Sequence, residues 1–211
     1  MAYNSIDLVH ASLRGDLESV QRLLSAGADV NSKDENGIGT LLSFTPEVTK
    51  LLLESGANPN SQTNEDGAPV LAGVAYMNHV DCVGLLLEAG ADPNASHSRT
   101  GETALHSCLS KPDIDHEPMV RLLIEYGADP NQTTVPGKPT AAFWRDVRTR
   151  GESPLHRAAA YAGEPTLRAL IAAGGDRRLR DANGDSPQSW ASWHWRPKSL
   201  VDLLAPESVS S

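Results

Sequence analysis

The phrase GADVN at residue 27 returns as GANPN at 56, GADPN at 90 and GADPN at 127, and in a worn form as GGDRR at 174. Each copy closes an apolar run: VQRLLSA, VTKLLLES, VGLLLEA, VRLLIEY and LRALIAA. The leading glycines lie 29, 34, 37 and 47 residues apart. A phrase that recurs near one period describes an array, in which each unit buries its apolar face on its neighbours and no single central core is needed.

The chemistry of one unit is legible. Leu85, Leu86 and Ala89, like Leu122, Leu123 and Tyr126, fall at helical spacing. The glycine that follows suits the left-handed position that closes a helix. Asp or Asn and then Pro keeps the chain from re-entering a helix. A second glycine (Gly37, Gly67, Gly101) marks a turn, and Thr or Ser before the next apolar run is a capping candidate.

A second phrase, ETALH at 102–106 and ESPLH at 152–156, stands in register with the first. Together with the recurrent GAD[VP]N it resembles the ankyrin repeat, over roughly residues 5–205. The resemblance implies an all-α solenoid: stacked helix-turn-helix units with projecting turns or β-hairpin fingers, beside a groove lined by the first helix of each unit. It implies a structural hydrogen-bonding role for His106 and His156. The units expected are about 5–36, 37–66, 67–100, 101–150 and 151–183, with a C-terminal cap at 184–205 and a flexible tail at 206–211, all one domain.

The array departs from its own pattern in three places. Gly37 to Gly56 is 19 residues where Gly67 to Gly90 is 23, so the first helix of the second unit is expected to shrink to about one turn near Leu41–Phe44, a soft joint. The fourth unit gains SKPDIDHEPM between its helices. Its Asp113, Asp115, His116 and Glu117 are candidate metal ligands, but no second cluster supports them, and a solvated loop is expected. Asn131 to Gly151 spans 20 residues instead of the 6 from Asn31 to Gly37, which enlarges one finger by an insertion at about 134–148. Phe143 and Trp144 beside Arg145 and Arg148 give that insertion the aromatic and arginine mixture of interaction hot spots.

Counted from each turn glycine, Tyr76, Met77, Lys111, Tyr161 and Trp193 fall on the groove side and form a candidate contact stripe. Trp190 is expected to seal the last open face. Lys and Arg number 18 against 27 Asp and Glu, a net charge of -9, which argues against nucleic acid and anionic membrane as partners. Residues 1–98 hold 4 basic and 13 acidic side chains, whereas 138–180 hold 9 and 4.

Cys82 and Cys108 lie in apolar helical segments as expected buried thiols. The start, MAYNSIDLVH, lacks a basic region followed by an apolar stretch, so a cytoplasmic protein is expected. No phosphate-loop, dinucleotide or zinc-protease motif is present, and Cys108 and His106, two apart, point to different helix faces.

The reading is therefore a non-catalytic protein-binding module, adaptor or inhibitor, monomeric on its own and without cofactor or metal. It would bind another protein through Tyr76, Met77, Lys111, Phe143, Trp144, Arg145, Arg148, Tyr161 and Trp193. The alternative is a sensor for an anionic aromatic ligand such as a nucleotide, held by Trp193, Tyr161 and the Arg177, Arg178, Arg180 cluster.

Overall fold

The computed structural model describes residues 5–63, 67–112, 114–138, 140 and 151–206. The described residues form α-helices and no multi-residue strand. The helices run in antiparallel pairs: α1 (Ser5–Leu13) with α2 (Leu17–Ser25), then α3 (Pro46–Glu54) without a helical partner, α4 (Val70–Tyr76) with α5 (Val80–Glu88), α6 (Ala104–Cys108) with α7 (Glu117–Glu125), α8 (Pro154–Tyr161) with α9 (Glu164–Ala172), and α10 (Pro187–Trp193) with α11 (Lys198–Leu203).

First helices pack on first helices, α4 on α6, α6 on α8 and α8 on α10, while α2, α3, α5, α7 and α9 form a second row. Between the rows runs a continuous apolar seam in which Val74, Leu86, Leu105, Leu123, Leu155 and Leu170 are fully buried. Isolated antiparallel bridges, Lys33 to Gly39 and Gln62 to Pro69, close the roots of two projecting fingers.

Each letter of the GADPN phrase has a mechanical task. Gly90 takes φ +89°, so its N–H can reach the Leu87 carbonyl at 3.0 Å while Ala91 N–H reaches Leu86 at 2.9 Å. This ends α5 in a left-handed turn that a Cβ would strain. The Asp92 carboxylate accepts from Asn94 N–H at 2.9 Å and fixes the turn.

Asn94 then links units. Its amide donates to the Gly127 carbonyl at 2.9 Å, and its Oδ1 accepts from Asp129 N–H at 2.7 Å. The same pair of bonds joins Asn31 to Gly56 and Asn58, Asn60 to Gly90 and Asp92, and Asn131 to Gly174 and Asp176. The ladder stops where Arg178 replaces the asparagine. There Arg177 instead donates to the Ala205 carbonyl at 3.0 Å, covering the end of α11.

The second unit is more reduced than its sequence suggests. In place of one helical turn at Leu41–Phe44, the described chain makes only a β-turn, Leu42 N–H to Gly39 carbonyl at 3.2 Å, and runs extended into α3. With four residues missing, the chain reaches Pro46 only if it is stretched. Leu41 and Ser43 are nevertheless buried and fill the place of the absent helix. Gly15 lets this segment in: a Cβ there would stand 2.3 Å from Thr45 Oγ1.

The row of first helices is thus interrupted between α1 and α4. Amide hydrogen exchange should be faster in α1 and α2 than in α5, α7 and α9, because local opening is governed by packed neighbours. Equal protection along the stack would contradict this.

Candidate protein-interaction face

The two histidine phrases build a buried polar spine. In α6, Thr103 and His106 form a reciprocal cap: the Thr103 backbone N–H donates to His106 Nδ1 at 3.3 Å, and the two side chains meet at 2.9 Å. His106 Nε2 lies 3.1 Å from the Glu152 carbonyl of the next unit. In α8, Ser153 and His156 repeat the cap, and His156 Nε2 lies 3.0 Å from the Asp185 carbonyl. Each histidine therefore starts its own helix and ties it to the following turn, the structural role that the ankyrin resemblance implies.

Arg157, next to His156, is the residue that sequence reasoning missed. Its guanidinium is fully buried yet pairs with Glu152 at 2.7 Å and Glu102 at 2.9 Å, and donates to the His106 carbonyl and Ser110 Oγ, both at 2.9 Å. Burial pushes the Glu152 carboxyl up, but the Arg157 charge and hydrogen bonds from Arg157 and Thr134 outweigh it and hold the pKa at about 2. The one available signal was the glutamate that precedes both TALH and SPLH. Thr134 Oγ1 donates to Glu152 at 2.8 Å, so the network also fastens the root of the enlarged finger.

Cys108, fully buried, has its thiol pushed up to about 12 by burial, which leaves it neutral and unreactive at physiological pH. Cys82 is free, buried and shifted in the same direction by burial.

The open ends of the first helices hold the candidate stripe. The Lys111 ammonium sits 4.0 Å over the Tyr76 ring and 3.7 Å from Met77 Sδ, so these three form one cluster across the ends of α4 and α6. Met77 is 44% exposed. At the end of α8, Tyr161 meets the His194 ring edge-on at 5.3 Å. Trp193, at the end of α10, is 53% exposed. Trp190 instead points inward, donating to Asp181 Oδ2 at 3.1 Å and packing edge-on against His156 at 5.5 Å.

Trp195 joins this face, and the sequence argument left it out. It is 93% exposed and takes φ +54°, the left-handed position that Gly27, Gly56, Gly90, Gly127 and Gly174 occupy elsewhere. Two bonds force it there: Trp195 N–H to Ser192 carbonyl at 3.2 Å and Arg196 N–H to Ala191 carbonyl at 3.0 Å. The Arg196 guanidinium then caps the end of α8 through the carbonyls of Ala160 and Ala162. A bulky residue in this conformation costs stability that its exposed ring does not return. Trp195→Gly should raise stability by about 0.5–1 kcal/mol, read as a higher urea midpoint; a lower midpoint would contradict the strain.

Phe143, Trp144, Arg145 and Arg148 lie outside the described residues, as does Asp113. In the loop of the fourth unit, His116 is buried with Nε2 2.9 Å from the Lys111 carbonyl, and Glu117 pairs with Arg121 at 2.7 Å. Asp115 accepts from Glu117 N–H at 3.0 Å, so these side chains begin α7. The arginines named for an anionic ligand each have a partner of their own. Arg177 binds the Ala205 carbonyl, Arg178 leans toward Asp176 at 3.9 Å and Arg180 donates to Gly184, all ahead of α10, whereas Tyr161 and Trp193 stand at the far end of that helix, about 10 Å on.

No helix among the described residues is long and apolar enough to cross a membrane. None of the curated proteins matches the chain. The model of ankyrin repeats in three copies matches residues 42–134, and the single ankyrin-repeat model matches residues 8–35. These matches cover more than half of the sequence and coincide with the helix pairs, glycine stops and asparagine ladder described above, so the chain belongs to the ankyrin-repeat family.

Proposed function

We propose that this chain is a non-catalytic protein-binding module, an adaptor or inhibitor that acts in the cytoplasm as a monomer and grips another protein with the open ends of its first helices. Ankyrin repeats are generally protein–protein interaction modules. The observation that carries the reading is the row Tyr76, Met77, Lys111, Tyr161, Trp193: large side chains, partly or largely exposed, at the same end of successive first helices. Trp195 strengthens it, since an exposed tryptophan held in a strained conformation is what a contact surface uses and what a fold alone does not require.

Affinity would come from burying these rings and the Met77 thioether, and charge would steer the encounter. The enlarged finger, with Phe143, Trp144, Arg145 and Arg148, would add a second arm to the same grip. The units of 5–36, 37–66, 67–100, 101–150 and 151–183 with the cap 184–205 would act as one domain.

The test is affinity capture from the native host with three baits: the intact chain, a Tyr76→Ala, Lys111→Ala, Trp193→Ala variant, and a chain lacking residues 136–148, which keeps Thr134 on Glu152. A protein retained by the first bait and lost from the second supports the face, and loss from the third adds the finger. Equal retention by all three would refute the assignment.

A further inference from the structure

The second row of helices presents an outer face that the first-helix stripe does not use. Across α3, α5 and α7 it holds a groove of about 580 Å³ floored by Val80, Gly84, Leu85 and Leu122. Counted six residues back from the glycine that closes each second helix, the related helices place Gln21, Lys50, Arg121 and Arg168, all long and polar. Only α5 places a glycine there, Gly84.

Nothing among the described residues requires that glycine. Its φ is helical, and an added Cβ would meet only Leu122 Cδ2, at 3.9 Å, an ordinary contact. Glycine is also the poorest helix former after proline. The substitution has an electrostatic result as well. In the sibling helices the base at or near this place pairs along its own helix: Lys50 with Glu54 at 3.9 Å, Arg121 with Glu117 at 2.7 Å, Arg168 with Glu164 at 2.7 Å. The sequence of α5, VDCVGLLLE, has no base, yet it keeps Asp81 three residues before Gly84 and Glu88 four residues after it. Both acids and Glu47 of α3 are exposed on the groove's rim, three carboxylates against one base, Lys50, which leans along its own helix toward Glu54.

We propose that this notch docks a cationic segment of a protein partner, with one Lys or Arg side chain filling the place over Gly84. Its charged end meets Glu88 and Asp81, and its methylene stem lies along Leu85 and Leu122. The surrounding field favours such an occupant, because residues 1–98 carry 13 acidic and 4 basic side chains. This site lies on the opposite side of the helix layer from the stripe and goes beyond the function proposed above; changes at Tyr76, Lys111 or Trp193 leave it intact.

The experiment selects random peptides displayed on phage against the intact chain, then ranks the enriched peptides by fluorescence polarisation on the intact chain, Gly84→Arg and Glu88→Lys. Gly84→Arg supplies the missing base from within, so it should raise the melting temperature by about 2–4 °C while weakening the peptides at least about tenfold. Glu88→Lys, a surface change, should weaken them similarly without altering the fold. Enrichment of Lys or Arg beside an apolar residue, with both losses, is the expected result.

An empty selection, an acidic or uncharged pool, or equal binding to Gly84→Arg would each overturn the proposal. So would a lower melting temperature for Gly84→Arg, since the fold would then itself demand the glycine. A dimer of the intact chain in sedimentation that Gly84→Arg dissolves would assign the notch to a second copy instead, and would overturn it too.

Discussion

Replacing Arg157 with methionine should cost about 3–5 kcal/mol of folding stability, enough to remove much of the roughly 5–15 kcal/mol that holds a domain together. The volume is nearly kept, so the loss is electrostatic. Without the guanidinium, the carboxylates of Glu152 and Glu102 face each other in a site where Arg157 is 0% exposed and the acids 2% and 6%. The His106 carbonyl and Ser110 hydroxyl also lose their donor. Arg157→Lys should recover only part, because an ammonium cannot reproduce a fork that reaches Glu152 through both Nε and Nη2.

A triple variant, Glu102→Gln, Glu152→Gln, Arg157→Met, should be more stable than Arg157→Met alone, since it removes the stranded charges together with their partner. Urea titration at neutral pH decides it. A loss below about 1 kcal/mol for Arg157→Met would mean that water reaches the site and that the network is not the clasp between the fourth and fifth units.

The chain should also lose stability in mild acid, starting near pH 6.5. Burial, and then the nearby Arg157 charge, hold His106 down to about 3 from an ordinary 6.5. Burial likewise lowers His156 and His116. Folding keeps these rings neutral, whereas the unfolded chain protonates them once the pH falls below 6.5. Their contribution is therefore fully present above that pH and is lost on the way down to the folded value.

At pH 5 His106 alone would cost roughly 2 kcal/mol. Glu152, held at about 2 against an ordinary 4.5, adds a further loss between those two values. Urea midpoints should hold from pH 7.5 to about 6.5 and then fall toward pH 5, and His106→Gln should flatten the curve while lowering its neutral-pH plateau. A midpoint unchanged between pH 7.5 and 5 would sink the argument.

These two sites separate what was legible in the sequence from what was not. The helix stops, the caps at Thr103 and Ser153, the structural role of His106 and His156, and the inward turn of Trp190 could all be read, because each depends on neighbours within a few residues or on a repeated register. The shortened second unit was legible as a count of missing residues. Whether the remainder would coil or stretch was a matter of distance between fixed ends, and the structure resolves it as an extended segment under Gly15.

Arg157 could not be read in the same way. In a list of residues it is one more base in a basic stretch, and only stacking brings Glu102, 55 positions earlier, against it. Trp195 was equally opaque, since its exposure follows from a left-handed turn that the described chain elsewhere gives to glycine or, at Asn78, to asparagine. By itself, then, the sequence determined the repeating unit and the places where it begins and ends, because those rest on backbone freedom and local hydrogen bonds. Only the tertiary structure decided which charges are buried together, which rings face outward and where a missing side chain leaves a notch, because those depend on what the neighbouring units place across the gap.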